Sequence, residues 1–129
     1  MRQFKDCHLN QMLIKSGNLT DLNVSVTNIV PDSLKLVARS AVNLKSLSVS
    51  SCLNLKPDSI KLLTEKRQNI NEIDLCNIYD FDDDDLIEML DKNKNLVRVG
   101  LKWTDVTDEC VDNILRERSE VYLRHDLEW

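Results

Sequence analysis

The run DFDDDD, residues 80–85, has the clearest potential for chemistry, because it places five carboxylates within six residues. Carboxylate oxygens are the ligands that calcium and magnesium prefer, so one interpretation is a cation site, or a metal-dependent hydrolase built on it. The run lacks the glycine and the spaced acids of an EF-hand loop. The other interpretation is a helix N-terminus, where carboxylates accept hydrogen bonds from unpaired N–H groups and oppose the helix dipole. We favour the helix N-terminus, since acids recur at the corresponding place elsewhere.

Four cysteines and two histidines are the remaining candidates for catalysis. The cysteines form no CxxC pair, which is typical of free thiols in a reducing compartment. Cys52 is predicted to be a small buried packing residue, whereas Cys76 is predicted on an exposed sheet face and is a candidate for modification. His8 and His125 form no base–nucleophile constellation with a cysteine or a serine. We therefore expect a protein that is not an enzyme and has no cofactor and no metal.

The bulk composition excludes several classes of partner. The 129 residues carry a net charge of −5, which disfavours nucleic acid because phosphate binding needs a basic face. No apolar run approaches the roughly 18 residues of a membrane-spanning helix, and the first residues contain no apolar core of a signal peptide. We expect protein partners, no membrane insertion and a cytoplasmic location, with the nucleus and the mitochondrion left open.

An internal repeat positions these residues. Five segments align over their first sixteen positions without a gap, and their starts lie 25 or 26 residues apart. The starts are Phe4, Ile29, Leu55, Phe81 and Val106. Five, eight and nine positions after each start come residues that are apolar in every copy except at Thr64. This spacing describes one face of an amphipathic helix.

A strand is predicted after each helix. The first four copies have an asparagine fourteen positions after the start, and asparagine tolerates the left-handed conformation that ends a helix. These residues are Asn18, Asn43, Asn69 and Asn95. Apolar residues then alternate with polar or small ones, as in a strand with one buried face. The central apolar residues, which we predict to lie side by side on neighbouring parallel strands, are Leu22, Leu47, Ile73 and Val99.

The two ends of the repeat array are predicted to differ from its middle. A helix over residues 5–15 is expected to cap the first end. The last copy has Arg124 where an apolar residue belongs, which predicts a short terminal strand around residues 121–123 with a slipped register. Within the array, Pro31 and Pro57 each lie two residues after a start and are predicted in the first helical turn.

The unit LKSLSVSSCLNLKPDSIKLL, residues 44–63, resembles the cysteine-containing subclass of leucine-rich repeats, LxxLxLxxCxxLxDxxLxxL. Its leucine and cysteine positions are filled by Leu44, Leu47, Val49, Cys52, Leu55, Ile60 and Leu63. Asp58 supplies an acid at the start of the helix, and Ile78 replaces the cysteine in the next unit. The resemblance spans roughly residues 4–123. It implies an α/β solenoid, a short right-handed horseshoe with parallel strands on the concave side and helices on the convex side. Residues 1–129 would form a single domain of about five units, helix first and short strand last.

The resemblance also implies a function. This subclass is typical of the substrate-binding arms of F-box proteins, and the chain is similar to the antagonist of mitotic exit network and to the mitochondrial coupling factor B family. It implies a non-catalytic adaptor for protein–protein interaction, recognising a substrate or partner within a ubiquitin-ligase-type complex. The alternative is a structural or assembly subunit of a larger complex.

The side chains that point away from the core are the candidate contact surface. On the later strands they run from acidic to basic, with a tryptophan at the strand edge, a composition typical of interface hot spots. The candidate partner-binding residues are Glu72, Asp74, Arg98, Lys102, Trp103, Tyr122 and Arg124. We expect a protein partner on this concave wall or at the C-terminal end. Two alternatives stay open: Trp103 covers the open end of the core, or Arg98 and Lys102 pair with acids of the neighbouring strand.

Overall fold

The computed structural model describes residues 19–26 and 29–124. Within them, five short strands alternate with four helices. The strands are β1 (Asp21–Asn23), β2 (Ser46–Ser48), β3 (Glu72–Asp74), β4 (Arg98–Gly100) and β5 (Tyr122–Arg124). The helices are α1 (Pro31–Ser40), α2 (Pro57–Lys66), α3 (Asp83–Lys92) and α4 (Asp108–Glu117). None of these four helices is long and apolar enough to cross a membrane. The predicted cap helix of residues 5–15, Asn18 and both histidines lie outside the described residues.

All five strands pair in parallel, in the order in which they occur along the chain. The register aligns the central apolar residue of each strand, pairing Leu22 with Leu47, Leu47 with Ile73, and Ile73 with Val99. Parallel neighbours require a crossover connection, and a ten-residue helix lies in each one. The α/β class and the side-by-side placement of these four residues are therefore confirmed.

One hydrophobic core lies between the sheet and the helices. The central strand residues Leu47 and Ile73 are fully buried in it. The first three helices contribute residues from the predicted apolar stripe, namely Leu34, Val37, Ala38, Ile60, Leu63, Leu86, Met89 and Leu90. The stripe of α4 is less covered, since Val111 is buried but Ile114 and Leu115 are only partly buried. The core therefore becomes more open at α4.

Local side-chain chemistry explains where the helices begin. Pro31 and Pro57 are the first residues of α1 and α2, as predicted, because proline fixes a helical φ and lacks only an N–H that would be unpaired there. At α3, Asp82 accepts a hydrogen bond from the N–H of Asp85 at 3.0 Å, and the Asp85 side chain accepts one from the N–H of Asp82 at 3.1 Å. The hydroxyl of Thr107 caps α4. The aspartate run is therefore a helix N-terminus, as predicted.

The prediction that the asparagines after the helices adopt a left-handed backbone conformation is wrong. Asn43, Asn69 and Asn95 do not adopt positive φ. Their side chains have another use, because the side chain of Asn95 donates to the backbone oxygen of Gln68 at 2.7 Å, and Asn69 makes the equivalent but longer contact one unit earlier. An asparagine at this position therefore ties one unit to the backbone of the preceding unit.

Positive φ values occur instead just after the strands. They are found at Val26, Ser51, Asn77 and Trp103, each four residues after the central strand residue, with φ between 57° and 68°. The backbone is fixed there by the sheet ladder, since the N–H of Ser51 donates to Cys76 and that of Asn77 to Lys102, both at 2.9 Å. A left-handed backbone is unfavourable for a bulky or β-branched side chain, so the backbone is strained at Val26 and Trp103. At Val26 a ladder hydrogen bond holds this conformation, since its N–H donates to the backbone oxygen of Ser50 at 2.9 Å.

The last strand has the slipped register that was predicted, although it spans residues 122–124 rather than 121–123. Leu123, and not Arg124, pairs with Val99. This shift buries Leu123, which is only 9% exposed, and pairs Arg124 with Gly100. The charged side chain thereby avoids the core.

Replacing Ile73 by alanine is expected to lower the free energy of unfolding by about 2–5 kcal/mol, because a fully buried side chain leaves a cavity. Ile87, on α3, is 52% exposed, and Ile87→Ala is expected to change this free energy by less than about 0.5 kcal/mol. Urea unfolding followed by circular dichroism compares the two variants. Equal losses would contradict the core described above.

Candidate functional site

The outer sheet face is the face opposite the helices, formed by the side chains that flank the central residue of each strand. The parallel register places these side chains in two rows. The first row consists of Asp21, Ser46, Glu72, Arg98 and Tyr122. The second row consists of Asn23, Ser48, Asp74, Gly100 and Arg124. Neighbours within a row lie on strands about 4.7–4.9 Å apart, so their side chains can touch.

A chain of polar contacts runs along the first row. The hydroxyl of Ser46 donates to Glu72 at 3.3 Å, and the Nε of Arg98 lies 3.7 Å from the other carboxylate oxygen of Glu72. The guanidinium of Arg98 lies 5.5 Å from the ring centroid of Tyr122. Of the two alternatives left open for Arg98, the structure shows the pair within the chain. Both partners of this pair are partly exposed, so it contributes only about 0–1 kcal/mol and stays accessible to a partner.

Gly100 makes room for Asp74 in the second row. A Cβ atom at Gly100 would lie 2.6 Å from Oδ1 of Asp74, which is closer than atoms can approach. That oxygen accepts a hydrogen bond from the N–H of Cys76 at 3.0 Å. The Asp74 carboxylate is therefore fixed over β4. Strand alternation alone assigns Gly100 to this face, but no pattern in the sequence indicates that it makes room for the Asp74 carboxylate.

Lys102 does not pair with Asp74 among the described residues. Its ammonium lies 3.7 Å from the ring centroid of Trp103, which makes a cation–π contact. The tryptophan is 57% exposed and lies outside the hydrophobic core cluster. These observations favour a contact surface over the alternative in which Trp103 covers the core. Tyr122 is also well exposed, at 49%.

The two described cysteines with shifted pKa values are poor nucleophiles. Burial, followed by the hydrogen bond and charge of Asp74, raises the pKa of Cys76 to about 11. Burial and the charge of Asp83 raise the pKa of Cys110 to about 11. Both thiols are therefore protonated at neutral pH, which opposes the modification considered for Cys76. Cys52 is fully buried, as predicted.

The aspartate run is occupied by structural contacts. Besides the capping pair of Asp82 and Asp85, Asp83 accepts two hydrogen bonds from Thr107. The ammonium of Lys61 donates to Asp85 at 2.8 Å and to Glu88 at 2.7 Å. Within residues 19–26 and 29–124, no group of three or more histidine, cysteine, aspartate or glutamate side chains is placed to hold a metal ion. The run therefore organises helix ends and joins neighbouring helices.

The outer sheet face offers recognition chemistry, because it combines paired and accessible charges with two exposed aromatic rings on a backbone fixed by the sheet. No family model matches the chain, and a search of the curated proteins found no match. Five of the seven predicted contact residues lie on this face in β3, β4 and β5, which are adjoining strands. The other two, Lys102 and Trp103, follow the end of β4.

Replacing Asp82 by alanine is expected to lower the free energy of unfolding by about 1 kcal/mol, because it removes the side chain that caps α3. Asp84 is exposed in the same run, so Asp84→Ala is expected to cost only about 0.3–1 kcal/mol through the helix dipole. Thermal unfolding measures both changes.

Millimolar calcium or magnesium is expected to leave the melting temperature unchanged, and a clear rise would instead support a cation site.

The contribution of Lys61 to the free energy of unfolding is expected to depend on pH. Hydrogen bonds from Lys61 and Lys92 lower the pKa of Glu88, so the stabilisation is present above the ordinary glutamate pKa and is lost as the pH falls through the lowered value. The carboxylates raise the pKa of Lys61, so the alkaline loss comes only as the pH rises through that raised value. The stability difference between wild type and Lys61→Met is therefore expected to shrink from about pH 7 to about pH 3.

Denaturant unfolding at a series of pH values measures this difference. Lys35→Met is the matched control, because the ion pair that Lys35 forms with a described residue is an exposed one, with Asp32 at 3.8 Å. A difference for Lys61→Met that does not vary with pH would contradict the assigned ion pairs.

Proposed function

We propose that the chain is a leucine-rich repeat protein of the cysteine-containing subclass, a solenoid with its outer sheet face on the concave side and its helices on the convex side. Three observations support this proposal. The strands follow chain order with equivalent residues in register, and the left-handed turn recurs at equivalent positions. The thiol of Cys52 donates to the backbone oxygen of Val24 at 2.9 Å, so the cysteine of one unit is bonded to the strand end of the preceding unit.

The function that the geometry supports best is non-catalytic protein–protein interaction through the outer sheet face. The observation that carries this proposal is the in-register row of Glu72, Arg98 and Tyr122, together with the exposed ring of Trp103, which follows the end of β4 and contacts Lys102. The strand backbones are held by the ladder before any partner arrives, so binding orders few groups. Arginine, tyrosine and tryptophan are also the residues that dominate interface hot spots.

The proposed context is recognition of a substrate or partner within a ubiquitin-ligase-type complex, which rests on the resemblance of residues 44–63 to that repeat subclass. Affinity purification from the native cell, followed by mass spectrometry, tests the context. Recovery of a ligase adaptor subunit would support it. Recovery of a stoichiometric assembly without such an adaptor would favour the structural-subunit alternative. The cytoplasmic location and the single-domain extent of residues 1–129 stay predictions.

Trp103→Ala and Arg98→Glu are each expected to weaken binding of a purified partner by about tenfold or more, because both remove a hot-spot side chain. Circular dichroism and unfolding should stay close to those of the wild type. Trp103→Gly is a useful third variant, because glycine accepts the φ of 62° at this position without strain.

Matched controls lie elsewhere on the surface. Leu62 lies on α2, on the helical side of the sheet, and is 40% exposed, so Leu62→Ala should leave binding unchanged. Arg116, exposed on α4, provides Arg116→Glu as the control for charge reversal. Full binding by both Trp103→Ala and Arg98→Glu would place the contact surface elsewhere.

A further inference from the structure

A groove of about 810 Å³ separates α3 from α4 on the helical side of the molecule. The first three helices pack closely against their neighbours, whereas α4 packs much less closely against α3. Ile114 and Leu115 are only partly buried for the same reason. The groove opens away from the outer sheet face, and none of the seven contact residues discussed above lines it.

The groove is held open at a fixed width by contacts at both ends. At the N-terminal end, the N–H and the hydroxyl of Thr107 donate to the two carboxylate oxygens of Asp83, at 2.7 and 2.8 Å. At the C-terminal end, the guanidinium of Arg118 donates to the backbone oxygens of Leu90, at 3.2 Å, and Lys94, at 3.4 Å. Each helix has ten residues, so the space between these ties is about 15 Å long. That length suits about three turns of another helix.

The floor of the groove is apolar and its rim is acidic. Apolar side chains of both helices line it, among them Ile87, which is 52% exposed, and Ile114. The rim has two cations, Lys94 and Arg118, and six carboxylates. The carboxylates are Asp83, Asp84, Glu88, Asp91, Glu109 and Glu117. Of these, Asp84, Glu109 and Glu117 are exposed and take part in none of the ion pairs found in the described part of the chain. The rim therefore has negative charge that is not neutralised locally.

We propose that this groove binds a basic amphipathic helix of a partner protein. An apolar stripe at positions i, i+3, i+4 and i+7 would cover the floor, and lysines or arginines beside it would meet the acidic rim. An acidic or neutral helix could fill the same volume but would leave the rim carboxylates without partners, and like charges would repel it. This interaction is separate from the one proposed for the outer sheet face and does not depend on it.

The direct test uses two fluorescein-labelled synthetic peptides of about 14 residues, a length that leaves about one turn beyond the groove. Both carry leucines at the i, i+3, i+4 and i+7 spacing, and they differ only in having lysines or glutamates at the remaining positions. Fluorescence anisotropy with the whole chain is expected to show saturable binding of the lysine peptide, weakening as salt is added. The glutamate peptide is expected to bind at least about tenfold more weakly.

Surface variants locate the binding. The double variant Asp91→Lys/Glu117→Lys reverses two rim charges at the C-terminal ends of their helices, where positive charge suits the helix dipole. It also removes the exposed pair of Asp91 with Lys94, which contributes little, so the variant is expected to fold, and circular dichroism checks this. This variant is expected to bind the lysine peptide about tenfold more weakly, or weaker still, than the wild type does. The control Glu65→Lys/Asp112→Lys makes the same change in net charge outside the groove and should leave the affinity within about twofold. Ile87→Ala should weaken binding, whereas Arg98→Glu, on the outer sheet face, should not.

Four results would overturn the proposal. They are no saturable binding of the lysine peptide at millimolar protein, equal binding of the glutamate peptide, equal losses in the rim and control double variants, and self-association of the chain that Ile87→Ala abolishes. The last result, measured by sedimentation, would make a second copy of the chain the occupant. Because Arg98→Glu acts on the other face, failure here is distinguishable from failure of the function proposed above.

Discussion

The parallel register of the five strands is the constraint on which the other features depend. It brings residues that are 24 to 26 positions apart in the chain to neighbouring strands. A three-residue strand cannot bury its single apolar side chain alone, and neither can one helix, so each unit is stabilised by the units beside it. The same register decides the opposite face, because the residues that flank Leu47 or Ile73 must point away from the core. Core and contact surface are therefore two consequences of one pairing.

Most charged and aromatic side chains of the outer sheet face belong to the later units. Apart from Asp21, the outward side chains of the first two strands are uncharged, such as Ser46 and Ser48, whereas β3, β4, β5 and the residues directly after β4 carry the other charges and the aromatic rings. The open groove between α3 and α4 lies at the same end, on the opposite side of the molecule. Two surfaces of different character thus share one set of units, and the outer sheet face is tied to the backbone ladder while the groove depends on a few contacts at the helix ends. A partner at one surface would leave the other accessible.

Features governed by periodicity could be predicted from the sequence, and those governed by one side-chain contact could not. The spacing of Leu22, Leu47, Ile73 and Val99 predicted the sheet order, since burial permits few registers. Arg124 predicted the slip of the last strand, because a charge cannot replace a core residue. No residue type or pattern around Trp103 indicates that it adopts a left-handed backbone conformation. The preference of asparagine for that conformation pointed to the wrong positions, namely those directly after the helices. The position of the Asp74 carboxylate over Gly100 and the width of the groove depend on packing between distant parts of the chain, which no local sequence pattern reveals.

The most direct test of the parallel register is nuclear Overhauser spectroscopy of the labelled chain in solution. Cross-strand contacts are expected to connect the backbones of Leu22, Leu47, Ile73, Val99 and Leu123 in that order, each with the next. The N–H of Leu75 should also be protected from exchange by its hydrogen bond to Gly100 at 2.9 Å. Contacts that join strands out of chain order, or that pair Val99 with Arg124 instead of Leu123, would contradict the register and the surfaces derived from it.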